Sequence, residues 1–236
     1  MKETLISAVA GSDYFGLFLS IGLFIIALKL KARFKFAILN PLLVSTVLCI
    51  IVLVVLDIPY ETYRDSAKML SYLLTPATVC LAVPMYKQLK LLKDNLAAVA
   101  IGIMTGTCCS ILSILAMGKL FGLTDDHIAT LLPKSITTAI GMGVSEEAGG
   151  IVTLTVAAII ITGILGNMIA ENIFEIFHIE HPVAKGLALG TSAHAVGTAK
   201  ALELGEVEGA MSSLSICVAG ILTVILVPLV SGTLLW

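Results

Sequence analysis

Charge is scarce in this chain. Asp, Glu, Lys and Arg make up 13% of its 236 residues, where a soluble domain carries about 25%. The shortage is uneven: residues 95–118, 151–170 and 209–236 hold no charged side chain at all. No polar run is long enough to form a separate soluble domain, so a soluble globular protein is excluded. The basic residues form no stripe, which removes nucleic acid as a partner. Disulfide and metal spacing are missing too. Cys49, Cys80, Cys108, Cys109 and Cys217 lie inside apolar stretches, where cysteine acts as a small hydrophobe. No cleavable signal is expected, because residues 1–13 are mixed and the first apolar run lacks a small-residue exit. Catalytic signatures are also lacking. There is no G-x-S-x-G elbow and no H-E-x-x-H, and Ser192 and His194, two apart, do not face each other as nucleophile and base. His178 and His181, flanked by Glu175 and Glu180, read as a loop rather than a metal site. An enzyme is not expected, nor a cofactor or a metal.

What remains is 58% hydrophobic. A run of about 20 apolar residues crosses a bilayer as a helix, and six stretches qualify: 12–28, 36–56, 69–86, 95–119, 151–170 and 209–236. Two weaker ones, 128–145 and 183–203, bring the count to eight, or to seven if one is a re-entrant hairpin. The expected fold is all-α: one integral membrane domain, 1–236, of seven to eight segments. Basic residues stay on the cytoplasmic side. Lys29, Lys31, Arg33 and Lys35 in one loop agree with Lys87, Lys90 and Lys93 in another, two spans on, which puts the N-terminus outside.

A faint repeat runs through the chain. "LLTPATVCLAVPMY" (73–86) is like "LLPKSITTAIGMGVS" (131–145), and each precedes a long span containing Thr-Gly, at 105–106 and 162–163. Repeat halves of about 1–120 and 121–236 follow, against the alternative that apolar helices merely look alike. Paired repeats with interrupted helices at matching places are a transporter feature.

The interrupted segments carry the chemistry. Pro76, with Thr75 and Thr78 beside it, punctuates the third span. Pro133 precedes Lys134, Ser135, Thr137 and Thr138, and Gly141 and Gly143 loosen the backbone before Ser145, Glu146 and Glu147. A helix restarting after Pro133 presents free amides, and Lys134 adds a full positive charge, so an anion is stabilised there. The competing reading has Lys134 snorkelling to the surface. In residues 186–199, ten of fourteen are Gly, Ala, Ser or Thr, with His194 in the middle. Gly190, Thr191, Gly197 and Thr198 share the face of His194 at helical spacing; Ser192 and Lys200 point elsewhere. Small residues let helices approach closely. An ionisable group at membrane depth faces a cavity or a partner, so His194 is either a ligand or proton-coupling group or a histidine satisfied by a carbonyl. Glu203, Glu206 and Glu208 read as a solvated helix end, with a Lys200–Glu203 contact.

"GLALGTSAHAVGTAKALELGEVEGAMSSLSI", "PKSITTAIGMGVSEEAGGI" and "LTPATVCLAVPMYKQL" closely resemble the recurrent stretches of the LrgB/CidB family of antiholin-like membrane proteins. The resemblance covers nearly the whole chain and extends to the carboxyl half of the plastid glycolate/glycerate transporter. The chain departs from the family pattern at Gly141-Met142-Gly143, which is richer in glycine and lacks a polar residue. The resemblance implies a bacterial cell-membrane protein working beside a small LrgA/CidA-type membrane partner. It further implies either of two functions. One is secondary transport of small monocarboxylates such as pyruvate, glycolate, glycerate or lactate, with proton symport. Transport is the function expected here; the alternative is antiholin-like control of murein hydrolases and lysis, without transport of its own. For transport, the candidate carboxylate site is Lys134 with Ser135, Thr137, Thr138, Thr191, Ser192 and Thr198, faced by Thr75, Pro76 and Thr78. His194 and Glu146 are the candidate proton-coupling residues. Small-residue helices also admit a homodimer or a heteromer with the partner.

Overall fold

The computed structural model describes residues 12–34, 39–80 and 82–234. Among them are twelve helices and no strand, as the all-α expectation requires. The chain divides into two compact units, 1–80 and 81–236.

The first unit holds α1 (Phe15–Phe34), α2 (Pro41–Val55), α3 (Tyr60–Ser66) and α4 (Lys68–Cys80). Asn40 starts α2: its side-chain oxygen accepts from the amides of Leu42 and Leu43, and Pro41 supplies the first turn. Gly16 lets α1 meet α3, since a Cβ there would lie 2.5 Å from the Tyr63 carbonyl. The Gly16 amide donates to Ser66 Oγ at 2.9 Å, and Ser20 shares a bond with the Tyr63 hydroxyl at 2.8 Å. Residues 36–38 of the expected second span lie outside the described residues.

The second unit opens with two short helices, α5 (Ala82–Lys87) and α6 (Leu89–Asp94). It continues through α7 (Leu96–Leu120), α8 (Asp125–Leu131), α9 (Thr138–Glu147), α10 (Val152–Ile176), α11 (Pro182–Leu204) and α12 (Glu206–Leu234). Gly122, at φ +66°, closes α7: the next amide, of Leu123, reaches back to the Gly118 carbonyl at 2.9 Å.

Among the described residues four helices, α1, α7, α10 and α12, are long and apolar enough to cross a membrane. Their outer faces carry exposed apolar side chains, such as Phe18 at 71%, Leu120 at 79% and Ile221 at 62%. Water would penalise that surface; lipid accepts it. The finer count of seven or eight is not reached by this measure. α2 has only 15 residues, and the stretch around Pro76 is divided between α4 and α5.

The two weak stretches take a different form, because both fold back on themselves. In α11 the backbone breaks at Ala193 (φ −128°, ψ 16°) and His194 (φ 42°, ψ −134°). A Cβ on Gly197 would then lie 2.5 Å from the Leu189 carbonyl. In a straight helix eight residues span about 12 Å, so the arms 182–192 and 195–204 are antiparallel. Their packing on α12 agrees. Gly186 sits against Glu208 and Met211, and Gly190 against Ser212 and Ser215, which is a parallel run. Thr198 meets Ser212 and Leu202 meets Gly209, which runs antiparallel. At about 1.5 Å per residue neither arm is long enough to cross a bilayer. The first hairpin, 125–147, has arms α8 and α9 and its tip at 132–137. Gly141 packs near the Pro133 carbonyl, and Gly150 against Thr130. Thr155 Oγ1 donates to the Thr130 carbonyl at 3.0 Å and lies 2.6 Å from Ser145 Oγ, which ties both arms to α10.

Three long helices frame the hairpins. Along α7, Gly118 and Ile114 pack on Ile128 of the first hairpin, and Ser110 bonds its tip at Ser135. Gly106 then meets Thr191 near the second tip, and Gly102 meets Leu187 farther down that hairpin. α10 repeats the order. Thr155 bonds the first hairpin, Gly163 and Gly166 lie against Ala193 and His194, and Glu171 pairs with Lys200. On α12, Val227 belongs with the first hairpin's core and Met211 with the second's. The hairpins therefore enter from opposite ends of the long helices and meet tip to tip at mid-length.

The close contacts make a stability prediction. A Cβ at Gly190 would lie 2.5 Å from the Ser212 carbonyl, whereas one at Gly143 meets nothing within 4 Å. Gly190→Ala is expected to destabilise the folded protein by about 1–3 kcal/mol through overpacking. Gly143→Ala should be neutral or stabilising by about 0.5–1 kcal/mol through helix propensity. Thermal unfolding in detergent checks both; equal effects would refute the parallel packing of arm 182–192 on α12.

Candidate functional site

The meeting of the tips places polar groups in an otherwise apolar interior. Lys134 and Ser135 come from the first tip, Thr191 and Ser192 from the second, and Ser110 and Ser113 from α7. Together they line an open cleft of about 690 Å³. Lys134 Nζ donates to Ser135 Oγ at 3.1 Å, and Ser135 Oγ lies 3.0 Å from Ser110 Oγ. Among the described residues no carboxylate stands within ion-pair distance of Lys134. α9 begins at Thr138, just past the tip, and Thr137 makes no side-chain cap. The positive end of α9 thus lies beside the Lys134 segment, and an anion is the species this field favours.

His194 has another office. It is 5% exposed, and its Nε2 donates to the Ile159 carbonyl at 2.9 Å. A carbonyl oxygen only accepts, so that nitrogen carries the proton. The ring holds the break in α11 against the middle of α10. Asn167 supports the same bend, with Nδ2 donating to the Val196 carbonyl at 3.0 Å. Thr198, wholly buried, donates to the His194 carbonyl at 3.1 Å and is bonded to Ser212 Oγ at 2.7 Å. It serves the hairpin's internal bonding and does not line the cleft.

The other expected residues scatter. Thr137 and Thr138 are half-buried at the start of α9 and are not among the residues lining the cleft. Glu146 is exposed near the far end of α9, away from the tip. Pro76 is exposed inside α4 of the first unit; the side chains of Thr75 and Thr78 lie outside the described residues. Thr191 donates to the Leu187 carbonyl at 2.7 Å and Ser192 to the Ala188 carbonyl at 2.6 Å, so both hydroxyls are anchored within their helix. Lys200 pairs with Glu203 at 3.2 Å, and Glu171 of α10 joins the pair.

α7 contributes what the sequence reading passed over. Gly102, Gly106, Ser110 and Ser113 form a stripe on one face of an otherwise bulky helix, and all four line the cleft. Their spacing of four, four and three residues is a small-residue pattern of the kind that marks close helix contact. Thr107, on the same helix, is 3% exposed, and among the described residues its hydroxyl has no hydrogen-bond partner.

Comparison with known proteins bears on the same residues. The LrgB-like family model matches residues 20–233. An antiholin-like protein LrgB from Bacillus cereus (strain B4264) is 37% identical over 219 residues, covering 92% of this chain and 95% of the relative. One from Bacillus anthracis (strain A0248), of the same name, matches to the same extent. No solved structure matches the chain.

The break at His194 can be tested by substitution. Its φ of 42° costs a non-glycine residue about 1–2 kcal/mol. His194→Ala loses the bond to Ile159 and keeps that strain; His194→Gly loses the bond and relieves it. Both variants should unfold at lower temperature than the parent, with His194→Gly the more stable of the two by about 1 kcal/mol. The reverse order would mean an unbroken helix at this position.

Proposed function

Since the chain belongs to the LrgB-like family, we propose that it is an antiholin-like protein of the bacterial cell membrane. In this reading it restrains lysis through an LrgA/CidA-type membrane partner and carries out no catalysis of its own. The observation that carries it is the 37% identity over 92% of the chain to proteins of that name. The family match over residues 20–233 takes in both hairpins and α7 and α10, which supports a shared architecture. Expression in a bacterium stripped of its own family member is expected to slow detergent-triggered autolysis several-fold. Unchanged autolysis at a verified membrane level would sink this reading.

The cleft favours a second reading, secondary transport of small monocarboxylates such as pyruvate, glycolate, glycerate or lactate. Two opposed hairpin tips that bring several hydroxyls and Lys134, which meets no carboxylate among the described residues, to mid-length suit a carrier, whose site lies near the bilayer midplane between interrupted helices. Lys134 holds the carboxylate, Ser135 and Thr191 flank it, and His194, bonded to the Ile159 carbonyl, holds the broken helix that carries the second tip. Under a proton gradient, proteoliposomes containing this chain and its partner should take up pyruvate saturably. Lys134→Met should lower that uptake at least about tenfold, in line with the loss of a charge-assisted bond. Uptake indifferent to Lys134→Met would take the cleft out of the mechanism.

A further inference from the structure

Beside the open cleft lies a second, much smaller space. It is narrow, about 10 Å³, and its polar lining is Thr107, Ser110, Ser135, Thr191 and Thr223. A volume of that order accommodates one oxygen-sized group. Four of these five hydroxyls are already engaged. Ser110 bonds Ser135, Thr191 donates to Leu187, and Thr223 donates to the Ala219 carbonyl at 2.7 Å. Thr107 is the exception: among the described residues its Oγ1 is the one buried side-chain polar atom with no partner. Leaving such a group unsatisfied is costly, and an orphan donor kept at the meeting point of two hairpins calls for an occupant.

The two spaces share Ser110, Ser135 and Thr191. The small space therefore adjoins the cleft at the residues that stand beside Lys134. We infer that Thr107 is a specificity-determining residue of this site: its hydroxyl donates to a second acceptor oxygen of a small anion whose carboxylate is held by Lys134. The inference deepens the transport reading and rests on its anion site. It selects, among small carboxylates, those carrying an oxo or hydroxyl oxygen on the carbon next to the carboxylate, and it disfavours plain fatty acids of the same size. A site built to hydrogen-bond a substrate oxygen rejects the analogue lacking it, because the buried partner is then left unpaired.

The experiment is calorimetric titration of the purified protein in detergent with pyruvate and with propionate, which lacks the second oxygen. The parent should bind pyruvate at least about tenfold more tightly than propionate. Thr107→Val, which removes the donor and keeps the shape, should bring that ratio to about one by weakening pyruvate alone. Thr107→Ser should keep the discrimination. The ligand-free Thr107→Val protein should melt no lower than the parent, since an unsatisfied polar group has been replaced by an apolar one. A ratio preserved in Thr107→Val would overturn the inference while leaving the anion site standing. So would a Thr107→Val protein that unfolds or melts markedly lower, because the hydroxyl would then be serving the fold. If the folded parent binds neither acid, the anion site itself is wrong, and the role of Thr107 falls with it.

Discussion

A helix that stops halfway through a membrane leaves backbone groups with no water to satisfy them. The architecture of the second unit depends on meeting that demand. At Ala193–His194 the ladder of hydrogen bonds in α11 is cut, and the surrounding helices close the gap. His194 turns its ring to the Ile159 carbonyl, Asn167 takes the Val196 carbonyl, and Thr198 takes that of His194. Irregular backbone persists at such depth only where protein or a cavity supplies partners. Here protein supplies them, and the polar tip they hold together is what borders the cleft.

The second requirement is proximity. A broken helix can be served by its neighbours only if they come close, and glycine is placed wherever two backbones meet. Gly163 and Gly166 receive the tip, Gly186 and Gly190 rest on α12, and Gly102 and Gly106 admit Leu187 and Thr191. The emptiness of residues 186–199 in bulky side chains thus has a direct physical source. The buried residues of this stretch face neighbouring helices, Ala188 and Ser192 border the open cleft, and leucine or isoleucine at the buried positions would hold those helices apart.

Much of this was legible in the residues. Long uncharged runs announced the all-helical membrane fold, and the small-residue stretch announced a buried, broken segment. Pro133 with Lys134 and Ser135 marked a helix restart. Spacing alone did not reveal that both weak stretches fold back, because a hairpin of two short apolar arms has the same composition as one crossing helix. The site was legible in part. Lys134, Ser135, Thr191 and Ser192 share one cleft, whereas Thr198 was drawn toward Ser212 by the fold-back that its helical position concealed. Thr107 and Ser110 went unseen because one hydroxyl in a hydrophobic helix is unremarkable until its neighbours are known. The stripe of Gly102, Gly106 and Ser110 was the available signal.

The connectivity of the hairpins also orders their completion during synthesis. The first hairpin finishes near residue 147, yet its apolar core includes Val227, and Gly220 packs against its Ile140. Those residues leave the ribosome some eighty positions later. Emerging chain folds from its amino end, so this hairpin waits with one wall absent until α12 arrives. α12 brings Ser212 to the second hairpin and Thr223 to the space between the tips. The polar centre is therefore enclosed only once α12 has arrived, and a nascent chain lacking that helix carries every residue of the two tips without yet having the site.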